Sequence, residues 1–138
     1  MPPEWAFVAL GSNLGDREAS LELARSRLGE LAGTTMVAAS SIEETEPLGP
    51  VQQGAYLNQM VLLRTELAPR ELLDACLAIE MEAGRRRRER WGPRVLDLDV
   101  VRYGDREVNE PGLTIPHPEL SNRPFWLREL AELESHVE

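Results

Sequence analysis

The sequence predicts a single α+β domain over residues 1–138, in which strands and helices follow the order β-α-β-β-α-β before a C-terminal helical tail. Apolar runs of β type recur at residues 5–10, 34–42, 56–65 and 95–103. Two segments with helical spacing of apolar residues separate these runs as the order requires. Of the 138 residues, 42% are hydrophobic and 28% charged, which suits one compact domain with one core. The order is the ferredoxin-like pattern, an antiparallel sheet with helices packed on one face.

The first half of the pattern begins with a buried strand at residues 5–10, which ends at Gly11. Asp16 is expected to cap a helix that stops before Gly33. Residues 46–50 are expected to form a loop between two strands, because their prolines and glycine break regular structure. The apolar stripe of the helix consists of Leu21, Ala24, Leu28 and Leu31.

The second helix is predicted to begin at Pro69 and to end at about Ala83, before Gly84. The next position on its apolar stripe is Glu80, and a carboxylate there has two interpretations. Either Glu80 lies at the margin of the stripe and reaches water, or it meets a ligand at the end of the helix. The stripe itself is read as Leu73, Cys76 and Leu77.

The last elements are a strand at residues 95–103 and a C-terminal amphipathic segment. Gly104 and Asp105 can turn this strand into a short partner strand around Val108. The final segment begins at Pro124 and carries apolar residues on one face. Those residues are Trp126, Leu130 and Leu133.

Composition excludes several classes of function. The net charge of −9 argues against bulk nucleic-acid binding, which needs a basic surface. No run approaches the roughly 18 apolar residues of a membrane helix, and the N-terminus has no basic segment of a secretory signal. The single cysteine, Cys76, fits a reducing compartment. A cytoplasmic monomer with small-molecule substrates, and with no membrane or nucleic-acid partner, is expected.

Positive charge is concentrated between residues 84 and 94. Six arginines stand there against one acidic residue, Glu89, so this segment sums to +6 − 1 = +5 and the rest of the chain to −14. Such a segment on an acidic protein indicates a local anionic ligand, although a solvated loop would have the same composition. The arginines are Arg85, Arg86, Arg87, Arg88, Arg90 and Arg94.

Asp97 and Asp99 interrupt the apolar strand that follows. Residues i and i+2 of a strand point to the same face, roughly 6–7 Å apart. Two carboxylates so placed repel each other, and divalent cations such as Mg²⁺ can offset the free-energy cost of this repulsion. Two solvent-facing aspartates would show the same pattern. The neighbouring arginines favour a polyphosphate site, because metal and arginine together neutralise phosphate oxygens.

Several other side chains are suited to binding a heterocyclic nucleotide or a related ring. Aromatic residues supply flat faces, although most buried rings belong to the core. Asn58 shares a strand face with Tyr56 and offers a donor and an acceptor to the edge of a heterocycle. His117 lies in a stiff loop between prolines, where a histidine is commonly just exposed, and Arg123 follows it. The other aromatic candidates are Trp91 and Phe125.

Taken together, these segments resemble the 6-hydroxymethyl-7,8-dihydropterin pyrophosphokinase family. Residues 90–101 read Arg-Trp-Gly-Pro-Arg-Val-Leu-Asp-Leu-Asp-Val-Val, which is similar to the family's signature and highly specific. Residues 11–15, 45–50, 116–118 and 122–123 fit the same family in the same order. The resemblance covers roughly residues 6–127.

The resemblance implies transfer of the β,γ-pyrophosphoryl group of ATP to the hydroxymethyl oxygen of the pterin, with release of AMP, in folate biosynthesis. By that resemblance Asp97 and Asp99 bind two Mg²⁺ ions and are catalytic together with Arg85 and Arg94. The residues implied in ATP binding are Glu80, Arg87, Arg90, Trp91, Arg94, His117 and Arg123. Those implied in pterin binding are Thr45, Leu48, Tyr56, Asn58, Trp91 and Phe125, with the pterin ring stacked between the last two. The segment 84–91 is expected to act as a lid.

Two other classes of protein share part of this pattern. Metal-dependent nucleotidyltransferases also combine Gly-Ser with Asp-x-Asp, but at a spacing of about a dozen residues, whereas Asp97 follows Ser12 by 85 positions. A non-catalytic ferredoxin-like module would explain the fold without explaining why the aspartates and arginines are adjacent. Reaction products separate the three hypotheses.

Overall fold

The structure is a computed structural model that describes residues 2–47, 54–84 and 95–137. No helix within these ranges is long and apolar enough to cross a membrane. The strands are β1 (Glu4–Ser12), β2 (Thr34–Ala39), β3 (Glu43–Thr45), β4 (Tyr56–Thr65), β5 (Asp97–Tyr103), β6 (Val108–Glu110) and β7 (Leu113–Ile115). The helices are α1 (Arg17–Gly29), α2 (Pro69–Glu82) and α3 (Pro124–Glu134), with a short 3₁₀ turn at Leu120–Asn122.

The main sheet is antiparallel, with strand order β2-β4-β1-β5 and with β3 paired to the beginning of β4. This arrangement confirms the predicted α+β fold with an antiparallel sheet. Strand β1 lies in the middle, so each of its residues faces one partner on β4 and, over most of its length, one on β5. The consequence for the site is that residues distant in sequence form continuous rows across the sheet.

Each face of the main sheet carries its own apolar core. Leu10 and Leu63 point to the face covered by α1 and α2, where they pack with Leu28 and Leu72. The opposite face is covered by α3, with Met60, Leu62, Phe7 and Trp126 among its buried residues. The two helices of the predicted pattern, α1 and α2, thus share one face, and the amphipathic C-terminal segment closes the second face. Burial on both faces accounts for the uninterrupted apolar run in β4.

Both long helices begin as predicted, but the apolar stripe of α2 differs. The Asp16 carboxylate accepts a hydrogen bond from the Ala19 N–H at 3.0 Å, which confirms it as the N-cap of α1. On α2 the buried residues include Leu72, Cys76 and Ile79, whereas Leu77 is 47% exposed. The prediction that Leu77 belongs to the buried stripe of α2 is thus wrong. Spacings of three and four residues allow more than one stripe, and docking on the sheet selects among them.

The short strands after β5 pair differently from the prediction. Strand β6 pairs with β7 in a separate two-stranded sheet, with Val108 opposite Ile115. It is not the partner of β5, as the turn at Gly104 had indicated. The chain nevertheless returns to β5, because the His117 N–H donates to the Val101 carbonyl at 2.9 Å. This bond brings the loop that carries His117 alongside the strand that carries the two aspartates.

Candidate active site

A row of residues crosses the main sheet at the level of Asp97. Asp97 lies opposite Gly11, Gly11 lies opposite Asn58, and Asn58 lies opposite Glu43. One step along, Asp99 lies opposite Ala9, whose side chain packs in the core beneath α3. Because alternate residues of a strand share a face, Asp97, Asp99 and Asn58 all lie on the α3 face of the sheet. The predicted common face of the two aspartates is therefore present.

Gly11 leaves open space over the middle of this row, because it has no side chain. A Cβ atom at Gly11 would lie 3.3 Å from Asn58 Oδ1 and 3.4 Å from Tyr56 Cδ1. The first distance is tighter than most contacts of a Cβ atom and the second is at the limit of ordinary van der Waals contact, so a side chain would press on Asn58 and touch Tyr56. The absence of a side chain at Gly11 leaves a shallow depression on the sheet between Asp97 and Asn58.

Thr45, Tyr56 and Asn58 come together at the β3–β4 end of the row. Tyr56 and Asn58 share a strand face as predicted, and Thr45 lies opposite Tyr56. The Asn58 Nδ2 donates to Thr45 Oγ1 at 2.5 Å, and Asn58 is 6% exposed. This bond fixes the orientation of the amide and leaves its oxygen to accept from a ligand. Phe125 begins the helix that covers this face, with its ring centroid 6.3 Å from that of Trp126.

His117 is fixed beside Asp99. Its Nε2 lies 3.5 Å from Asp99 Oδ1, and its Nδ1 accepts a hydrogen bond from the Glu119 N–H at 3.1 Å. The ring also meets Trp126 edge to face, with centroids 4.9 Å apart. The interpretation of a merely exposed loop histidine is therefore wrong. With Nδ1 occupied as an acceptor, a neutral imidazole carries its proton on Nε2 and acts there as a donor.

Arg123 packs on the same tryptophan. Its guanidinium carbon lies 4.3 Å from the centroid of the Trp126 ring, a cation–π geometry. The Arg123 Nε is buried and finds no hydrogen-bond partner within the described ranges. Buried N–H groups are almost always paired, so this donor is a group for which a ligand can supply the acceptor. Trp126 thus holds two candidate nucleotide contacts, although its sequence pattern indicated only a core residue.

Glu80 is buried against the strand that carries the two aspartates. It is 1% exposed, so the expectation that it reaches water at the margin of the stripe is wrong. Its Oε2 accepts a hydrogen bond from the Leu98 N–H at 2.7 Å. Leu98 separates the two aspartates, so Glu80 fixes the backbone between them. Burial, with added repulsion from Glu80 and Asp99, raises the pKa of the neighbouring Cys76 thiol.

A cleft of about 210 Å³ opens beside Asp99, on the other side of β5 from the Asn58 row. Its walls combine apolar side chains with polar groups, which Asp99, Thr114 and His117 supply. Such a combination is typical of sites that bind a flat organic ring. Sequence reasoning missed this cleft, because its walls come from three separate elements. The lining residues are Leu73, Leu98, Asp99, Val100, Gly112, Leu113, Thr114, His117 and Pro118.

Some of the predicted site residues lie outside the described ranges. They are Leu48, Arg85, Arg86, Arg87, Arg88, Arg90, Trp91 and Arg94, together with the rest of the expected lid. Their roles stay predictions. Within the described ranges, no group of three or more His, Cys, Asp or Glu side chains is placed to hold a metal ion. The two aspartates therefore stand as a pair.

Comparison with known proteins identifies the family. A family model described as 7,8-dihydro-6-hydroxymethylpterin-pyrophosphokinase (HPPK) matches residues 7–135. The chain belongs to this family. The recognition of HPPK from the sequence motifs is therefore confirmed.

Relatives of this HPPK chain include several proteins named 2-amino-4-hydroxy-6-hydroxymethyldihydropteridine pyrophosphokinase. The protein of Bacillus subtilis is 44% identical over 133 residues, covering 96% of this chain and 80% of the relative. The protein of Haemophilus influenzae is 42% identical, covering 96% and 82%. The protein of a Synechocystis species is 46% identical, covering 93% and 65%. Most of this HPPK chain, including the Asp97 row and the Asp99 cleft, lies within the family match.

Proposed function

We propose that this HPPK chain transfers the β,γ-pyrophosphoryl group of ATP to the hydroxymethyl oxygen of 6-hydroxymethyl-7,8-dihydropterin, a reaction of folate biosynthesis that releases AMP. One observation carries the proposal. The aspartate pair on β5 stands between two candidate recognition regions, with the cleft bordering Asp99 and the Asn58 row continuing from Asp97. Two substrates bound on either side would present their reacting groups to the same carboxylates.

The aspartate pair fits magnesium. Both side chains are half-buried and offer hard oxygen ligands from one strand face, which suits Mg²⁺ better than soft metals. We assign Asp97 and Asp99 as ligands of two Mg²⁺ ions. When bound, such ions neutralise phosphate charge and lower the pKa of a coordinated hydroxyl. Glu80, through its bond to the Leu98 N–H, holds the strand that presents the two carboxylates.

The cleft beside Asp99 is assigned to the adenine base of ATP. Leu73, Val100 and Leu113 supply apolar walls for a flat ring, and the cleft ends at Asp99, where the phosphates must pass to reach the aspartates. His117 presents Nε2–H beside Asp99, and the buried Nε of Arg123 offers a second donor. Both groups are therefore placed to bind phosphate or ribose oxygens, and His117 is not placed to act as a base.

The row from Gly11 to Thr45 is assigned to the pterin. The Asn58 amide is held by Thr45, so its orientation is set before the substrate arrives. Gly11 leaves room for a flat ring over the strand floor, and Tyr56 borders the same space. Phe125 is assigned one face of the ring, with Trp91 on the other and Leu48 at the rim.

The arginines between residues 84 and 94 complete the proposal. Arg85 and Arg94 are assigned to the transferring phosphoryl groups, while Glu80, Arg87, Arg90 and Trp91 are assigned to nucleotide binding. Guanidinium groups pair with phosphate oxygens in a bidentate way, which suits charge that spreads over oxygens in the transition state. The monomeric state, the cytoplasmic location and the absence of nucleic-acid partners remain predictions.

A product assay tests the proposed function. Purified protein with ATP, Mg²⁺ and the reduced pterin alcohol is expected to give AMP and the pterin diphosphate in equal amounts. Release of inorganic pyrophosphate with an adenylylated product would identify a nucleotidyltransferase instead. No turnover by folded protein that still binds both ligands would identify a binding module.

A further inference from the structure

The indole ring of Trp126 contacts two side chains of the candidate site. Trp126 is 2% exposed and belongs to the apolar core on the α3 face of the sheet. The Arg123 guanidinium carbon lies 4.3 Å from the centroid of the indole ring, and the His117 ring meets it edge to face with centroids 4.9 Å apart. One buried ring thus contacts both of the donors that are assigned to oxygens of the nucleotide.

The backbone of Arg123 is fixed by the start of α3, whereas its side chain depends on the ring. Arg123 is the N-cap of α3, and its carbonyl accepts hydrogen bonds from the Trp126 N–H at 3.0 Å and the Leu127 N–H at 3.3 Å. The Arg123 Nε is buried and has no hydrogen-bond partner in the part of the chain that the structure describes. A free arginine side chain has many rotamers, so the contact with the ring, and not a polar bond of Nε, selects one orientation.

The position of His117 also depends in part on Trp126. The His117 N–H donates to the Val101 carbonyl at 2.9 Å, and its Nδ1 accepts from the Glu119 N–H at 3.1 Å. These two bonds tie the histidine to β5 and to its own loop. The edge-to-face contact with Trp126 adds a contact with the core, which limits movement of the imidazole away from Asp99.

We propose that Trp126 is a positioning residue for the nucleotide, whose ring holds the Arg123 guanidinium group and the His117 imidazole in the orientation that binds nucleotide oxygens. The inference rests on the proposed function, which assigns both groups to the nucleotide. Donors that are oriented before the ligand arrives reduce the free-energy cost of ordering them on binding. A nucleotide oxygen would also supply the acceptor that the buried Nε of Arg123 lacks among the described residues.

The test is a double-mutant cycle on nucleotide binding. The dissociation constant of a non-hydrolysable ATP analogue, with Mg²⁺ present, is measured by calorimetry. Trp126→Leu is made in the wild type and in a donor-free background, Arg123→Ala/His117→Ala. In the wild type the constant is expected to rise about tenfold, because the ring no longer orients the donors. In the donor-free background the same substitution is expected to change the constant less than about twofold.

Phe7→Leu is the matched control. Phe7 is 3% exposed in the same apolar core, and the Arg102 guanidinium carbon lies 5.8 Å from the centroid of its ring. Arg102 pairs with Glu134 in solvent and has no assigned role in the site. The substitution therefore removes an aromatic ring from beside an arginine in this core without touching either donor. The dissociation constant of the nucleotide analogue is expected to stay within about twofold of the wild-type value.

The outcomes separate the positioning role from the proposed function. An equal loss in both backgrounds, or a loss in Phe7→Leu as large as in Trp126→Leu, identifies general core packing and overturns the positioning role alone. Unchanged nucleotide affinity in Arg123→Ala/His117→Ala overturns the assignment of both donors, and the positioning role with it. Wild-type protein that binds the analogue but forms no AMP from ATP and the pterin overturns the proposed reaction only, because the cycle measures binding.

Two further measurements apply even if Trp126→Leu does not fold. Trp126→Phe keeps a ring in the core, on which a guanidinium group stacks more weakly than on indole, so a loss of about two- to fourfold is expected in the wild type only. The proton NMR signal of the Arg123 Nε–H, assigned with Arg123→Lys, is expected upfield of other arginine signals because the group lies over the ring. Binding of the analogue is expected to shift it. A signal at the position of a solvent-exposed arginine, or one that the analogue does not move, overturns the positioning role.

Discussion

The Glu80 carboxylate accepts a hydrogen bond from the Leu98 N–H at 2.7 Å, and this bond ties helix α2 to the strand segment that carries Asp97 and Asp99. The side chain is 1% exposed, so water does not replace it when it is removed. A buried carboxylate in the candidate site therefore has a structural partner, whatever further contact it makes with the nucleotide.

Glu80→Ala is expected to lower the free energy of unfolding by about 1–3 kcal/mol, because it leaves the Leu98 N–H buried without a partner. Turnover is expected to fall further than stability alone explains, since the aspartates lose their fixed backbone. Denaturant unfolding and kcat measurements check both effects. Glu82→Ala is the control, because Glu82 lies two residues further along α2 and pairs with Arg27 in solvent. It is expected to change neither the free energy of unfolding nor kcat by much. Equal effects of the two substitutions would contradict a special role of Glu80.

Asp97→Asn and Asp99→Asn are each expected to reduce kcat at least about a hundredfold while the fold is kept, since an amide is a poor Mg²⁺ ligand. The circular dichroism spectrum and the unfolding midpoint report the fold, and AMP formation reports turnover. Either variant retaining near-normal rates in folded form would remove the metal assignment. Glu107→Gln serves as the charge control, because Glu107 is an exposed carboxylate beyond the end of β5.

Gly11→Ala is expected to weaken pterin binding with little effect on ATP. The new Cβ would lie 3.3 Å from Asn58 Oδ1 and would displace the amide that Thr45 holds. A loss of roughly 1–2 kcal/mol, about tenfold in the dissociation constant, is expected. Gly29→Ala, whose Cβ would meet only Met36 at 3.9 Å, is the matched control. Unchanged pterin affinity in Gly11→Ala would place the pterin elsewhere.

Trp91→Ala and Phe125→Ala are each expected to weaken pterin binding about tenfold, because each removes one face of the proposed ring sandwich. Fluorescence titration with the pterin and an ATP analogue measures the loss. Leu127→Ala, an exposed apolar residue near Phe125 on α3, is the control for general effects of truncation. If both aromatic variants bind the pterin normally, the stacking assignment is wrong.

Stability is expected to depend on the protonation of Glu129. Because burial raises its pKa from 4.5 to about 9 in the fold, the folded protein holds this proton more tightly than the unfolded chain. Its stabilising effect is full below pH 4.5 and is lost as the pH rises through about 9. Glu129→Gln is therefore expected to gain roughly 1–3 kcal/mol over the wild type between pH 5 and 8. Denaturant unfolding at several pH values measures this difference, and identical pH slopes would contradict it.

The sequence by itself determined the family and the order of the main elements. Residues 90–101 form a run that is specific to the family. The pattern of apolar and polar residues predicted β1, β4 and both long helices close to their observed bounds. These are local signals, because side-chain periodicity and capping at Asp16 depend on neighbours within a few residues. The common face of Asp97 and Asp99 followed from the same local geometry.

Only the tertiary structure decided which distant groups meet. The bond from the Leu98 N–H to Glu80 and the place of His117 beside Asp99 each join separate elements. Docking of α2 selected Leu72 over Leu77, and packing of α3 closed the second face of the sheet. Local patterns leave such choices open, because a helix stripe or a short strand has several partners of similar chemistry. Sheet register and the burial of both faces select one of them.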